Sequence, residues 1–183
     1  MDNELRLTDC VEWFSRRASK ATYAGDGSEV KPWRSGFKEL EYSENDWYYR
    51  DSYSGYLRSR EQEVVWYNDA PTWTCLYGGG MAENNINNEF ARKTFSCLKV
   101  VLSSGEKGTT FQPRGPKELA KGNWRYKCEL EGSLAKFSGH ESIIYNSTIV
   151  FTHDFIGGYN TRRLAMPQRA YRLRRCGLPQ RLR

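Results

Sequence analysis

Residues Trp47 to Gly80 read WYYRDSYSGYLRSREQEVVWYNDAPTWTCLYGGG, and most of this stretch is written again from Trp124 to Gly158 as WRYKCELEGSLAKFSGHESIIYNSTIVFTHDFIGG. With one gap in the loop, Trp47 pairs with Trp124, Tyr49 with Tyr126, Gly55 with Gly132, Leu57 with Leu134 and Glu63 with Glu141. Tyr67-Asn68 then falls on Tyr145-Asn146, Thr74 on Thr152, and Gly79-Gly80 on Gly157-Gly158. A self-similar period of this length is the signature of a duplicated supersecondary unit.

The second copy shows what the unit is. Trp124, Tyr126, Cys128 and Leu130 alternate with Arg125, Lys127, Glu129 and Glu131, the period of a strand with one apolar and one charged face. By register the first copy turns Trp47, Tyr49, Asp51 and Tyr53 to the same face, and Asp51 stands where its counterpart is Cys128. A third strand over about Glu63–Tyr67 and Glu141–Tyr145 turns at Asn68-Asp69 or Asn146-Ser147 into a fourth. That fourth strand aligns Trp73, Cys75 and Tyr77 with Phe151, His153 and Phe155. Gly78-Gly79-Gly80 lacks the frame of a phosphate-binding loop and reads as a turn after it.

Upstream, Asp9 with Glu12 has the form of an N-cap and its capping-box partner, and Val11, Phe14, Ala18 and Ala21 recur at helical spacing. A first helix is expected from about Asp9 to Ala21, followed by the Gly/Asp loop Tyr23–Ser28, whose amides could rim a pocket, and a short strand near Lys38–Tyr42. Between the copies, Asn84–Asn88 can cap a second helix carrying Phe90, Thr94, Cys97, Leu98 and Val101, with Gly105 at its end. The expected fold is α+β: two tandem helix-plus-antiparallel-meander repeats, about 8–81 and 87–160, in a two-layer helix-on-sheet domain. Residues 1–160 form one domain in this reading, and 161–183 a disordered tail.

The formal net charge of +6 suggests nucleic acid until it is located. Eight arginines and no acid lie between Thr161 and Arg183, leaving 28 − 8 = 20 basic against 22 acidic residues in the body. A body of net charge −2 offers no general basic face, so nucleic-acid binding is confined to the tail. The body uses ten lysines and ten arginines, whereas the tail uses arginine alone, a shift that a change of reading frame would also produce. Five cysteines without a C-x-x-C read as buried thiols in a reducing, cytoplasmic compartment. The N-terminus has no signal pattern and no apolar run approaches membrane length. His140 and His153 lack ligand spacing, so neither a metal nor a cofactor is expected.

Several motifs carry a resemblance: KATYAGDG (Lys20 to Gly27), KELEY (Lys38 to Tyr42), WYYRDSYSG (Trp47 to Gly55), QEVVWYN (Gln62 to Asn68), PRGPKEL (Pro113 to Leu119) and FSGHESIIYN (Phe137 to Asn146). Over roughly Leu5 to Asn160 the chain resembles a bacterial family known only as a domain of unknown function. Members of that family stand alone or follow a repressor-type helix-turn-helix domain. The resemblance implies an α+β domain without an assigned activity. This chain shows no helix-turn-helix segment, so a regulatory role would require a partner.

The chemistry centres on Asp51, because an acid among aromatic residues is either satisfied by tyrosine hydroxyls or a nearby arginine such as Arg50 or Arg34, or faces a ligand. The leading expectation is non-enzymatic binding of a small molecule or protein partner at an aromatic-lined groove between the repeats. Its residues would be Asp51, Tyr49, Tyr53, Trp73, Tyr23 and His153. The alternatives are an enzyme with Asp51 and His153 as acid and base, and a nucleic-acid binder acting through its tail.

Overall fold

The computed structural model describes residues 2–82, 87–104 and 112–160, with residues 2–8 described by their backbone alone. A helix α1 (Asp2–Ala21) and a short 3₁₀ turn (Tyr23–Gly25) precede four strands, β1 (Lys38–Glu44), β2 (Trp47–Gly55), β3 (Arg58–Tyr67) and β4 (Ala70–Met81). A second helix, α2 (Asn88–Ser103), precedes β5 (Glu118–Lys121), β6 (Trp124–Ser133), β7 (Lys136–Tyr145) and β8 (Thr148–Tyr159). All eight strands join one antiparallel sheet in the order β1-β2-β3-β4-β8-β7-β6-β5. The fold is therefore mixed helix and antiparallel sheet. Among the described residues no helix is long and apolar enough to cross a membrane.

The turns follow from residues that tolerate positive φ. Asn68 and Asp69 (φ 47° and 62°) close β3 onto β4, and Asn146 and Ser147 (47° and 67°) close β7 onto β8. Beyond each turn the pairing register slips at one place, between Val65 and Trp66 in β3 and between Ile143 and Ile144 in β7. Such a bulge bends the strand and increases its local twist. The two groups of strands meet where β4 pairs with β8: Tyr77 faces Phe155, Trp73 faces Tyr159 and Met81 faces Phe151.

Period-2 alternation sorts the side chains onto two faces. On one face, Phe14 of α1 packs against Tyr42 and Trp47 at ring-centroid distances of 5.6 and 5.4 Å. Phe90 of α2 packs against Trp124 and Tyr145 at 5.9 and 5.5 Å, and Phe95 against Phe151 at 6.1 Å. Burying a side chain such as Phe14 is worth about 1.5–3 kcal/mol, so these contacts seat the helices. Lys99 of α2 also pairs with Asp26 at 2.5 Å, and the Ser103 hydroxyl donates to the Ala24 carbonyl at 2.8 Å. On the other face, the buried Arg50 guanidinium bonds Glu39, Glu41 (2.9 Å), the Tyr48 hydroxyl (2.8 Å) and the Lys31 carbonyl (2.9 Å), and lies under the Trp33 ring.

The structure corrects several sequence expectations. The first helix begins at Asp2, so Asp9 lies inside it and is no N-cap; Glu4, Leu5, Arg6 and Leu7 ahead of Asp9 are themselves good helix formers that extend it. In the second helix, by contrast, the cap falls within the expected Asn84–Asn88, at Asn87, which accepts from the Phe90 amide at 2.7 Å, and Ser104 is the C-cap. Residues 84–86, Gly105 and the arginine tail from Thr161 lie outside the described residues. The third strand starts at Arg58, five residues before Glu63.

Gly78-Gly79-Gly80 is not a turn but the end of β4, paired on both sides. At Gly80 (φ 137°) a Cβ would lie 2.2 Å from the Leu57 carbonyl oxygen, and at Gly158 (φ 151°) one would lie 2.3 Å from that of Ala135. The glycines thus mark close approach of a neighbouring backbone within a strand.

Candidate ligand-binding site

The centre of the helix-bearing face should be apolar by the sheet's alternation, yet a line of ionisable residues crosses it. Asp51 of β2 faces Glu63 of β3, and Glu63 faces Cys75 of β4. From the other side Cys128 of β6 faces Glu141 of β7, and Glu141 faces His153 of β8. All six are buried. Arg114, from the segment leading into β5, reaches between the two lines. It donates to Glu141 Oε1 at 2.8 Å, approaches Glu63 Oε1 at 3.5 Å, and lies 4.2 Å from the centre of the Tyr77 ring.

Each carboxyl group has a different environment. For Glu141, burial alone would favour the neutral acid, but Arg114 and His153 prevail and hold it at about 2. The Tyr126 hydroxyl adds a 2.6 Å hydrogen bond to Glu141 Oε2, and a carboxylate with three such partners stays ionised. Asp51 is the reverse case. Burial pushes its carboxyl well above the usual range, Glu63 and Glu61 push it further, and Arg114 and Tyr77 only partly oppose them. Its hydrogen bond from the Tyr77 hydroxyl is long, at 3.3 Å. Glu63 is raised by burial as well, with Arg114 acting against the rise.

His153 joins the two lines. Its ring lies 4.5 Å from Phe151 and 5.7 Å from Tyr77, and its Nδ1 lies 3.1 Å from Glu141 Oε1. An ionised carboxylate can only accept, so Nδ1 carries the proton. Nε2 then has no hydrogen-bond partner among the described residues although it is buried. An unsatisfied buried polar atom costs about 1–3 kcal/mol.

The six residues singled out from sequence are placed as follows. Tyr49 and Trp73 are 1% exposed and belong to the core, Trp73 stacking on Phe137 at 5.7 Å. Asp51 and His153, 1% and 3% exposed, share Tyr77 as a neighbour. Tyr23 and Tyr53 are half-buried at the margin. Both phenols are raised by burial, and acids of this cluster add to it: Glu61 for Tyr23, Asp51 and Glu61 for Tyr53. The amides of Gly25 and Gly27 donate to the Thr22 carbonyl, so they do not rim a pocket.

The expected arginine partners of Asp51 lie elsewhere. Arg50 points to the opposite face, and Arg34 donates to Ser52 and lies over the Phe37 ring. Alternation would have predicted the first, since Arg50 adjoins Asp51 on the same strand.

Sequence reasoning missed Arg114, Glu63, Glu141, Tyr77 and Tyr126 as members of this cluster. Glu63 and Glu141 were legible in principle: both copies place an acid two residues before a buried aliphatic, Val65 or Ile143, on the inward face. Arg114 had no such signal. It comes from a loop whose path is set by Gly115, where a Cβ would lie 2.6 Å from Val101 and 3.0 Å from the Tyr126 ring. Cys75 and Cys128 are buried free thiols, and Cys10 is buried in the core. Among the described residues no three His, Cys, Asp or Glu side chains gather as metal ligands.

A buried acid cluster fed by both groups of strands defines a mixed helix-and-sheet domain with a polar centre. Residues 30–160 match the family described as Domain of unknown function (DUF5680), and the chain belongs to that family. Searches of curated proteins and of solved structures give no match.

Proposed function

We propose that this chain is a non-enzymatic binding domain whose ligand is a small molecule carrying an amine or guanidine group. The observation that carries this reading is the direct pairing of Asp51 with Glu63, two buried acids whose nearest shared cation, Arg114, is already bonded to Glu141. A cationic group placed there would let Asp51 ionise and would gain charge-assisted hydrogen bonds in a low-dielectric site. Tyr53 supplies a π face that favours such a cation, Tyr77 and Tyr23 already holding Arg114 and Lys99 over their rings, and the half-buried pair Tyr23 and Tyr53 marks the side of entry.

This reading takes residues 1–160 as one two-layer domain made of two copies of a helix-plus-meander unit. The matched bulges at Val65 and Ile143, the matched close approaches at Gly80 and Gly158, and the β4–β8 pairing centred on Tyr77 and Phe155 support it. The site then falls between the copies. The setting is cytoplasmic and the role regulatory, exerted through a protein partner.

An acid–base pair of Asp51 and His153 is the second reading, supported by their common contact with Tyr77. Calorimetric titration of a panel of alkyl and aryl amines and guanidines, each with its neutral alcohol counterpart, tests the proposal. Amines should bind and alcohols should not, and Asp51→Asn should remove binding. A panel in which neutral or acidic compounds bind best, or in which Asp51→Asn binds normally, overturns it. Turnover of a bound amine that stops in both Asp51→Asn and His153→Gln would favour the enzyme.

A further inference from the structure

We propose a second binding site, for an acyl carboxylate, in the groove between α2 and the β5–β6 hairpin. The groove has a volume of about 920 Å³ and is lined by Cys97, Val100, Val101, Leu119, Trp124 and Tyr145, among others. That volume lies at the upper end of the range for small-molecule sites, which are mostly apolar with a few polar groups setting orientation. Val100 is 55% exposed on the groove wall, whereas the next residue, Val101, is fully buried. The apolar stripe of α2 is therefore wider than its seat on the sheet requires.

The charge around this groove decides the occupant. Among the described residues Arg92, Lys93 and Lys121 line it with a single acid, Glu89, and Glu89 is already held by Lys93 at 2.8 Å. A body of net charge −2 has thus gathered a local excess of cations beside an apolar trough. This combination suits a chain with one anionic end: the alkyl part lies against Val100, Leu119 and Trp124, and the carboxylate meets Arg92 and Lys121. A cationic amphiphile gains the apolar contact and loses the electrostatic one.

The shape of the wall has a local cause. The β5–β6 turn is tight because Gly122 adopts φ 58° with open space where its Cβ would be. Trp124 is held between Tyr145 (4.5 Å) and Phe90 (5.9 Å), which fixes the indole as a rigid side of the trough.

The test is calorimetric titration of the full chain with decanoate below its micellar concentration, beside decyltrimethylammonium and decanol at equal concentrations. Saturable binding of decanoate at one site per chain is expected, with at least tenfold weaker binding of the ammonium compound. The double variant Arg92→Glu/Lys121→Glu should reverse that order, and Val100→Asp should weaken decanoate at least tenfold, with circular dichroism confirming that each variant is folded. Asp51→Asn should leave decanoate binding unchanged, which separates this site from the amine site. Equal affinity for the anionic and cationic amphiphiles, or decanoate binding unaffected by Val100→Asp and by the charge reversal, overturns the proposal.

Discussion

Arg114 and Glu141 meet at 2.8 Å with side chains 5% and 0% exposed, an ion pair made by a loop residue and a strand residue deep in the core. Removing one partner of such a pair strands the other charge in a low-dielectric interior, at a cost of about 3–5 kcal/mol. Arg114→Ala should therefore lose about 3–5 kcal/mol, a large share of the stability of an ordinary domain, measured by urea unfolding at pH 7. Arg114→Ala together with Glu141→Gln should recover part of that loss, since no uncompensated charge remains at Glu141.

The same pair gives the domain an acid limit. Glu141 is held at about 2 in the folded chain, below its ordinary value, so its contribution is fully present above about pH 4.5. It is lost as the pH falls toward 2, and amounts to about 3 kcal/mol over that interval. Unfolding free energies measured across pH 2 to 5 should drop steeply for the wild type and less for Glu141→Gln.

Asp51 acts with the opposite sign. Its folded carboxyl is raised by burial and by Glu63, so the native state holds a proton that the unfolded chain releases from about pH 4 upward. Stability contributed at this position is therefore present at low pH and falls as the pH rises toward the folded value. Asp51→Asn, which mimics the protonated acid and can still accept from Tyr77, should unfold within about 1 kcal/mol of wild type at pH 5. It should equal or exceed wild type at pH 8. A variant that is less stable at pH 8 by more than that would show Asp51 to be ionised and structurally required.

The two matched tryptophans should behave differently. Trp47 is 5% exposed beneath Phe14, whereas Trp124, expected from sequence to be buried, is half-buried because its ring forms a wall of the α2 groove. Trp47→Ala should cost about 3–5 kcal/mol, and Trp124→Ala distinctly less. Equal losses in thermal unfolding would contradict this asymmetry.

Gly80→Ala and Gly158→Ala should both destabilise by more than about 1 kcal/mol, because each site combines a positive φ with a carbonyl oxygen too close for a Cβ. Similar losses at the two positions would support the duplication, and a loss at only one would count against it.

What was legible in the sequence was what depends on local periodicity. Alternation around Tyr126 and Cys128 placed strand faces correctly, and the Asn68-Asp69 and Asn146-Ser147 turns were readable because few residues accept φ near +50°. The β4–β8 pairing was not, since no local signal tells which strands of two meanders become neighbours. The candidate site was half legible. Asp51 and His153 stand out because each departs from its counterpart, while Glu63 and Glu141 agree with each other and look like ordinary strand acids. Arg114 could be found only once the fold had brought a loop back over the sheet.

The outer boundaries of the sheet carry a different consequence, for behaviour at high concentration. The sheet ends on one side in β1, KELEYSE, and on the other in β5, the four-residue strand ELAK. Unpaired backbone groups on a long apolar border invite another chain to add on, and charged side chains or shortness of the border discourage it. Here one border carries Glu39, Glu41 and Glu44 and is bridged by Val30 at Glu39, and the other offers only four residues, beginning in Glu118 and ending in Lys121. The eight strands are thus closed to growth at both ends, and concentrated solutions should stay free of fibrillar, thioflavin-binding assemblies for as long as the fold is intact.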